Sequence, residues 1–562
     1  MRIKFFNVLK KSIRKIKVKK PFKKNGFVIF QIDGLSYKAI RKALSLKLMP
    51  HLQKMIDLGD YSFGRYFTGV PSDTPSFQAG LLYGDNNDVP GFRWIEKETG
   101  REIIFKQPDS AGMVEELLAG KKPGLLTGGS SYVNLFSGGA SRSTFTLSTF
   151  SIRYLFKRKV RNFDIFIVFI FHIFTFLKTF LYVFFEFLLE IWERIMDAVK
   201  KRKVRPEGFF PFARAMSNVI FKEIETFGAI MDISRGVPSI YLNYIGYDEL
   251  SHHRGPYSLS ALRTLKAIDR KIHHIYKEIS NSERNYDFFI ISDHGHTPSV
   301  PFSELNNGKK LKSVIEDCVQ ADNIKIFEFD TGYNIFFKQL FLYISDFFKR
   351  GTCNKILNKV FGRIESREAN EREKYDEKLS WERSKIVYIM NSGPMANVYL
   401  SGKTSKVFVE EIERNFPKLI DILANTPGIG FIIGMNGNAE VVAYDKNFKK
   451  FHNLSRFFSD NAKSCATVRN IINNYENDKE RNDAFSSVER FCKFKNSGDI
   501  ILFGEYDGDN VVNFENQMGA HGGIGGEQNI PFAVWQKSIS LDFRAVNNSC
   551  KIYEFLYNNY VK

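Results

Sequence analysis

Cysteine is scarce in this chain, with five residues in 562. Their number is odd and their spacing is wide, which argues against both a disulfide framework and paired zinc ligands. They are Cys318, Cys353, Cys465, Cys492 and Cys550. We therefore expect a protein of a reducing compartment.

The N-terminal residues lack the uninterrupted apolar run of about 7 to 15 residues that a secretory signal needs behind its charges. Residues 1–25 form instead a basic arm, with eleven Lys or Arg and no acid up to position 24. Apolar residues interrupt these charges, so a membrane-surface helix and a solvated tail both fit the arm. We expect a cytoplasmic protein, associated with the inner face of a membrane.

The formal net charge of the chain is +19, which favours anionic partners. The basic residues cluster around apolar helical stretches and do not form a face that reads nucleic acid. We therefore expect an anionic lipid surface as a partner and no nucleic acid. The sequence does not indicate an oligomeric state.

Short apolar runs that lead to an acidic residue recur along the chain. Residues 27–32, 240–245 and 288–291 lead to Asp33, Asp248 and Asp293. Residues 257–280, between two of these runs, carry apolar side chains at helical spacing. Strands that alternate with helices predict an α/β fold with a doubly wound sheet, whose ligands bind at the carboxyl ends of the strands.

Phenylalanine is abundant, with 55 residues, and is concentrated between residues 150 and 205, which basic clusters flank. The polar residues of this segment fall on one arc of a helix opposite a wide apolar face. They are Asp164, His172, Thr175, Lys178, Thr179, Glu186, Glu190 and Glu193. A single membrane crossing would place Asp33 and Thr74 on one side of the bilayer and Asp248, Asp293 and His521 on the other. We expect all five residues to belong to one site, which argues against a single crossing. We favour a helix lying in the membrane interface, with a re-entrant or two-pass hairpin and a protein-buried helix as alternatives.

The pattern changes again after residue 310. A charged stretch at 366–385 predicts an exposed helix or linker, and a mixed α/β pattern follows, with a helix at 405–424 and strands around 398–400, 429–433 and 439–443. We interpret 311–494 as a cap inserted into the α/β core. The core would comprise residues 26–310, interrupted by the helical insertion at 150–205, and residues 495–562.

Acids and histidines that could bind metal ions come from distant parts of the chain. They are Asp33, Asp248, His252, Asp293, His294 and His521. Carboxylates together with neutral imidazoles suit Zn²⁺, and less specifically Mn²⁺ or Fe. Three Asp and three His can fill two sites with open positions, and two ions about 4 Å apart can promote phosphoryl transfer.

These residues lie in motifs that resemble those of the type I phosphodiesterase/nucleotide pyrophosphatase family of the alkaline phosphatase superfamily. The matching segments are Ile32-Asp33-Gly34, Met49-Pro50-His51-Leu52, Pro71-Ser72-Asp73-Thr74, Tyr83-Gly84, Asp248 with His252 and Gly255-Pro256, Ser292-Asp293-His294-Gly295 and His521-Gly522. The resemblance implies an alkaline phosphatase-type fold and two bound divalent ions, with Zn²⁺ favoured and Mn²⁺ as the alternative.

The resemblance also implies a role for each of these residues. One metal ion would be bound by Asp248, His252 and His521. The other would be bound by Asp33, Asp293 and His294 together with the nucleophile, Thr74. Ser72 and Ser76 are the alternative nucleophiles.

The chain departs from the family pattern after Gly91. Eukaryotic-type members carry there an Asn that stabilises the transition state, whereas this chain has Phe92-Arg93-Trp94. A guanidinium can hold phosphate oxygens in a fork, so Arg93 is a candidate substrate-binding residue. We expect His253 and His296 to lie at the surface or behind the metal ligands.

The predicted activity is hydrolysis of a phosphodiester or pyrophosphate bond, at a membrane surface. The C/S-x-P-x-R signature of sulfatases is absent. A phosphomonoesterase or a phospho-group transferase of the same superfamily remains an alternative, because the metal ligands are shared. A non-catalytic membrane-surface scaffold is the third hypothesis, although a degenerate copy would be expected to lack a ligand or the nucleophile.

Overall fold

The computed structural model describes residues 24–150, 173–199, 210–319, 324–330, 386–400 and 404–562. Several predicted features lie outside the described residues: residues 1–23 of the basic arm, the basic clusters that flank the Phe-rich segment, and the charged stretch at 366–385. The Phe-rich segment is described only over residues 173–199.

The strands of the described chain are, in order, β1 (Gly26–Ile32), β2 (Tyr61–Arg65), β3 (Arg93–Glu96), β4 (Arg101–Ile104), β5 (Ser130–Tyr132), β6 (Arg142–Thr144), β7 (Ser239–Tyr244), β8 (Tyr286–Ile291), β9 (Thr297–Pro301), β10 (Lys325–Phe329), β11 (Ile386–Ser392), β12 (Met395–Tyr399), β13 (Ile429–Met435), β14 (Val441–Asp445), β15 (Lys450–Asn453), β16 (Ile500–Gly504), β17 (Val511–Asn513), β18 (Gly519–Ala520) and β19 (Phe532–Gln536).

The α-helices are α1 (Tyr37–Ser45), α2 (Pro50–Asp57), α3 (Thr74–Tyr83), α4 (Pro108–Lys121), α5 (Ile173–Val199), α6 (Phe210–Ala215), α7 (Lys222–Arg235), α8 (Gly246–Arg254), α9 (Leu259–Ser280), α10 (Phe302–Leu305), α11 (Leu311–Val319), α12 (Val409–Asn415), α13 (Leu419–Asn425), α14 (Leu454–Ser464), α15 (Ala466–Asn473), α16 (Asp478–Cys492) and α17 (Ser549–Leu556). Single 3₁₀ turns at Leu147–Phe150 and Phe543–Ala545, and π-helical turns at Met216–Phe221 and Tyr557–Val561, complete the helical structure of the described residues.

The central sheet has the strand order β2-β19-β8-β1-β7-β5-β6. Strands β8, β1, β7, β5 and β6 are parallel, and β19 runs antiparallel to β8 and β2. Val28 and Phe30 of β1 face one hydrophobic core, whereas Phe27 and Ile29 face another. Helices cover both faces, which explains why β1 carries apolar side chains on both of its faces and confirms the predicted doubly wound α/β fold.

A second sheet, with the order β10-β11-β12-β16-β13-β14-β15, contains the described strands of the predicted cap region, 311–494. Its strands are antiparallel except for the parallel pair β10 and β11. It takes in β16, which lies beyond the boundary at 494/495 that the sequence predicts. The predicted helix at 405–424 is two short helices, α12 and α13, because Pro417 between them has no amide hydrogen for a continuous helix.

Helix α5 packs against the core through its polar face. Arg214 contacts three carboxylates of this helix, those of Glu186, Glu190 and Glu193, at 2.7–2.9 Å. Arg254 at the end of α8 contacts Glu190 at 2.7 Å and also pairs with Asp197. The opposite face is exposed and apolar. Within the described residues, no helix has both the length and the apolar character that a membrane span requires.

Candidate active site

Three neighbouring parallel strands bring the predicted acids to one edge of the central sheet. Asp33 directly follows β1, and Asp293 lies two residues after the end of β8. Asp248 lies in the first turn of α8, which starts two residues after β7. Because β8, β1 and β7 are adjacent and parallel, their carboxyl ends open at the same crevice.

Four side chains surround one position at this edge. His252, one helical turn after Asp248, has its Nε2 3.6 Å from Asp248 Oδ2 and 3.1 Å from His521 Nε2. The Nε2 atoms of His296 and His521 lie 3.3 Å and 3.8 Å from Asp248 Oδ1. Tetrahedral bonds to zinc of about 2.0 to 2.2 Å would separate the ligand atoms by about 3.3 to 3.6 Å. The group therefore fits a divalent ion.

A second group lies beside the first. His294 Nε2 is 3.6 Å from Asp33 Oδ1, 3.4 Å from Asp293 Oδ2 and 3.3 Å from Thr74 Oγ1. Gly34 N donates to the other oxygen of Asp293, and Asn243 Nδ2 donates to Asp33 Oδ2. One oxygen of each carboxylate, Asp33 and Asp293, is thus fixed by a hydrogen bond from the protein. The other oxygens, Asp33 Oδ1 and Asp293 Oδ2, are buried and have no hydrogen-bond partner in the described chain, as expected of metal ligands.

Each of the four clustered histidines is oriented by a backbone carbonyl oxygen. The Nδ1 atoms of His252, His294, His296 and His521 lie 2.9–3.1 Å from the oxygens of Gly519, Gly295, Gly34 and Ser72, respectively. A carbonyl oxygen can only accept, so Nδ1 carries the proton. This arrangement fixes the tautomer and directs the Nε2 lone pair into the cluster, as in metal-binding histidines.

The electrostatics of the cluster favour a cation. Burial, and then the charges of Asp293 and Asp248, raise the pKa of Asp33 well above its ordinary value. Burial and the neighbouring Glu249 raise the pKa of Asp248 in the same direction. Burial lowers the pKa of His296 to about 3, which leaves a neutral imidazole at neutral pH. Crowded carboxylates and neutral imidazoles together form a donor set for divalent metal ions.

Thr74 is the first residue of α3, and its hydroxyl points at the second group. Asp73 caps this helix by accepting from the amide of Ser76 at 2.9 Å. The partial positive charge at a helix N-terminus favours an anion there. Ser72, an alternative nucleophile, donates its hydroxyl to Gly523 O at 3.1 Å and accepts from Gly522 N at 3.1 Å, so its oxygen is occupied in holding the loop of His521.

A cavity opens beside both groups. Thr74, Asp33, Asp248, His252 and His521 line it, together with residues that the sequence did not indicate. The latter include the apolar side chains Phe92, Val133, Leu135, Phe145, Leu147 and Ile245, the polar Asn134, Asn243, Ser392 and Gln517, and the charged Lys106, Glu249 and Glu515. Burial lowers the pKa of the Lys106 ammonium, whereas Glu249 and Glu515 oppose that shift. Ser392 ends β11, so the cap region contributes to the wall.

Arg93 does not line this cavity. Its guanidinium pairs with Glu102 across the β3–β4 hairpin and lies 4.0 Å from the ring centroid of Phe329. The predicted phosphate clamp therefore has no support in the structure. His253 stacks on Phe210 with ring centroids 3.7 Å apart, outside the cluster as expected. The ring of His296 is buried, not at the surface, and lies beside Asp248, His252 and His521 in the first group.

The chain is similar to known proteins in both sequence and fold. The family model of type I phosphodiesterase / nucleotide pyrophosphatase matches residues 27–345. No match was found among curated proteins. Among solved structures, phosphonoacetate hydrolase from Sinorhizobium meliloti in complex with phosphonoformate is 12% identical, with a TM-score of 0.43 and 96% of each chain covered.

Murine ectonucleotide pyrophosphatase / phosphodiesterase 5, in an inactive form in complex with AMP, is 10% identical, with a TM-score of 0.43 over 95% of this chain and 94% of the other. The human protein of the same name gives the same identity, TM-score and coverage.

Proposed function

The chain belongs to the type I phosphodiesterase/nucleotide pyrophosphatase family and is a phosphoric ester hydrolase, and we propose that it cleaves phosphodiester or pyrophosphate bonds through Thr74 with the aid of two divalent metal ions. The observation that carries the proposal is the position of Thr74 Oγ1, 3.3 Å from His294 Nε2, at a helix N-terminus that faces the cavity. No other hydroxyl of the Pro71–Ser76 loop lines that cavity.

The two groups of side chains would each hold one ion, and Zn²⁺ suits their donor atoms best, with Mn²⁺ as the alternative. Asp248, His252 and His521 would hold one ion. Asp33, Asp293 and His294 would hold the other, beside Thr74. Bound divalent ions supply positive charge that lowers the pKa of a hydroxyl and neutralises phosphoryl oxygens.

The chain's own residues define the remaining chemistry. Thr74 Oγ1 attacks phosphorus, and the bond from phosphorus to the leaving oxygen breaks as the new one forms. The partial positive charge at the N-terminus of α3 would favour the phosphoryl oxygens there. Water then cleaves the phosphothreonine and regenerates the hydroxyl. The apolar cavity wall would exclude bulk water during the first step and accommodate an apolar part of the substrate.

Hydrolysis of chromogenic esters tests this proposal. Metal-depleted protein should be inactive, and added Zn²⁺ or Mn²⁺ should restore cleavage of bis-p-nitrophenyl phosphate in preference to p-nitrophenyl phosphate. A preference for the monoester would favour the phosphomonoesterase alternative. If metal-loaded protein cleaves neither ester, the proposed hydrolysis of general phosphate esters is contradicted, and a transferase or a scaffold is favoured.

The same proposal places the enzyme at a membrane surface, with helix α5 as the contact. The side chains of α5 that are most exposed are large and apolar, and include Phe180, Phe184, Phe185, Trp192 and Ile195. The polar side chains that would normally face water instead bind Arg214 and Arg254 of the core. A helix whose polar side chains face the core and whose apolar side chains face outward exposes an apolar strip that a lipid surface can cover.

The charge of the flanking sequence supports an anionic lipid surface. Residues 200–203, which follow the end of α5, are Lys-Lys-Arg-Lys, and the whole chain carries a net charge of +19. Basic residues next to an apolar helix face are the usual combination for anionic lipid. Location at the inner, cytoplasmic face of a membrane stays a prediction.

Sedimentation with lipid vesicles tests this part separately. Full-length protein should bind phosphatidylglycerol-containing vesicles, and Phe184→Ser with Phe185→Ser should weaken binding, since each fully transferred Phe contributes about 1.5–3 kcal/mol. Phe448→Ser is the matched control, because Phe448 is equally exposed but lies in the cap region. Unchanged binding of the double variant would contradict the proposed contact.

A further inference from the structure

His296 is the residue of the first group to which the family resemblance gives no role. Its ring is fully buried, and its Nδ1 lies 2.9 Å from Gly34 O. Its Nε2 lies 3.3 Å from Asp248 Oδ1. Both of these facing atoms, His296 Nε2 and Asp248 Oδ1, are buried and make no hydrogen bond within the described chain.

Two lone pairs therefore face each other in a buried position. Nδ1 must carry the ring proton, because Gly34 O can only accept, and a neutral imidazole then has no proton on Nε2 to give to Asp248. When Asp248 is ionised, as a metal ligand is, its unpaired oxygen and the unpaired imidazole nitrogen repel each other at this distance, at a free-energy cost that burial increases. A cation that both atoms coordinate removes this conflict.

The positions of the other two histidines agree with that solution. The rings of His252 and His521 lie 4.7 Å and 4.9 Å from that of His296, centroid to centroid. Asp248, His252, His296 and His521 can each offer one atom such that all four lie within 4.8 Å of one another. Four ligand atoms around one point match a closed tetrahedral site, whereas catalytic zinc sites keep a position open.

The backbone also makes room for this ring. Gly34 has φ of +70°, and a Cβ built there would lie 2.5 Å from His296 Cε1 and 2.7 Å from Asp248 Oδ1. Only glycine at position 34 allows His296 to approach Asp248 while its Nδ1 bonds to the same residue's carbonyl oxygen. The sequence Asp33-Gly34 thus supplies a ligand of the second group and space for the ring of the first.

We infer that His296 is a fourth protein ligand of the metal ion held by Asp248, His252 and His521, so that this ion is enclosed and tightly retained. The inference rests on the proposed two-metal function. The ion beside Thr74, with Asp33, Asp293 and His294 as ligands, keeps the open position and exchanges faster. The two sites therefore have different roles. The site of Asp248 retains its ion, and the site beside Thr74 accommodates the reacting groups.

Counting metal ions, without any activity assay, tests the inference. Zinc-loaded wild-type protein should contain two ions per chain, and brief exposure to a chelator should remove one of them. His296→Gln keeps a side chain that can donate to Asp248 but is a poor metal ligand. It should retain its faster-exchanging site and bind the other ion at least about tenfold to a hundredfold more weakly, the loss seen even for outer hydrogen-bond partners of a ligand.

The controls separate ligation from folding. His273→Gln, on α9 and stacked on His51, should bind both ions as wild type does. Metal-free His296→Gln should unfold at a temperature equal to or above that of metal-free wild type, because Gln can donate to Asp248 where the imidazole cannot. If the variant does not fold, X-ray absorption of wild-type protein loaded with one equivalent of zinc gives the number of coordinated imidazoles directly, and we expect three.

Two results would overturn the inference while leaving the proposed function intact. One is a His296→Gln protein that binds two ions with wild-type affinity. The other is an X-ray absorption spectrum with two imidazoles at the tight site. Wild-type protein that binds fewer than two ions would instead contradict the proposed two-metal function.

Discussion

Replacing Arg214 by Met should release helix α5 from the core. The Arg214 side chain is 2% exposed and contacts Glu186, Glu190 and Glu193 at 2.7–2.9 Å. Together with Asp197, these acids form a cluster of four carboxylates, which Arg214, Arg254 and Arg194 neutralise in part. Methionine fills a similar volume but leaves two uncompensated negative charges where there was one.

The magnitude follows from burial. Breaking a buried ion pair by removing one partner costs about 3–5 kcal/mol. The lower end applies here, since Arg254 and Arg194 still contact Glu190. A cost of about 3 kcal/mol raises the equilibrium constant for opening of α5 about a hundredfold. Hydrogen exchange of peptides from residues 173–199 should accelerate by that factor, whereas exchange in β1 should be unchanged.

Arg194→Met is the matched control. Arg194 belongs to the same cluster and the same substitution is made, but its side chain is 27% exposed and, within the described residues, forms one ion pair, with Glu190 at 3.0 Å. Such a partly exposed pair contributes about 1 kcal/mol or less, so exchange should change less than about fivefold. Equal exchange rates in Arg214→Met and wild type would refute the view that this cluster anchors α5.

Three other substitutions test separate parts of the structure. Gly34→Ala should reduce bound metal, measured by elemental analysis, because its Cβ would lie 2.7 Å from Asp248 Oδ1 at a φ of +70°; full metal content would contradict the tight packing. Lys97→Met should lower the free energy of unfolding in urea by about 3–5 kcal/mol, because it leaves the buried carboxylate of Asp499 without its cation; an unchanged midpoint would refute this. Lys106→Met should lower kcat/KM for a phosphodiester about tenfold to a hundredfold if its ammonium bonds the substrate, as expected from about 1.5–3 kcal/mol for a charged hydrogen bond; an unchanged value would exclude that contact.

The central sheet and the clustering of the predicted metal-binding acids could be predicted from the sequence for one physical reason. Each of β1, β7 and β8 is buried on both faces and reads as an apolar run, and its acid follows within a few residues. Parallel strands place such residues at a common edge. The gathering of Asp33, Asp248 and Asp293 therefore follows from patterns that are local in the chain.

The contacts that the sequence did not predict depend on distant partners. His296 follows Asp293-His294-Gly295 as an ordinary loop residue, and its orientation comes from Gly34 O, 262 residues earlier in the chain. Arg93 follows Gly91 closely in sequence, but the register of the β3–β4 hairpin pairs it with Ile104 and makes Glu102 its diagonal neighbour, with which it forms an ion pair. Predicting the orientation of His296 would have required the fold. The contact between Arg93 and Glu102 could have been predicted by aligning the two strands of the hairpin.

The Phe-rich segment shows the same division between local and distant information. Its polar arc was readable from helical periodicity, and Glu186, Glu190 and Glu193 share one face as predicted. The direction of that face could not be read, because its partners Arg214 and Arg254 lie on α6 and α8. The described part of α5 directs its polar side chains to the core and leaves its apolar side chains exposed.

The most direct test of the central claim is the rate of phosphodiester cleavage by metal-loaded Thr74→Ala, compared with Ser76→Ala. Both residues lie in the first turn of α3, but the proposal makes only the Thr74 hydroxyl the nucleophile. Metal content of both variants, measured alongside, separates lost chemistry from lost metal. We predict that Thr74→Ala binds an ion at the site of Asp248 yet has no measurable turnover, whereas Ser76→Ala keeps activity. Turnover by Thr74→Ala at the wild-type rate would contradict the account.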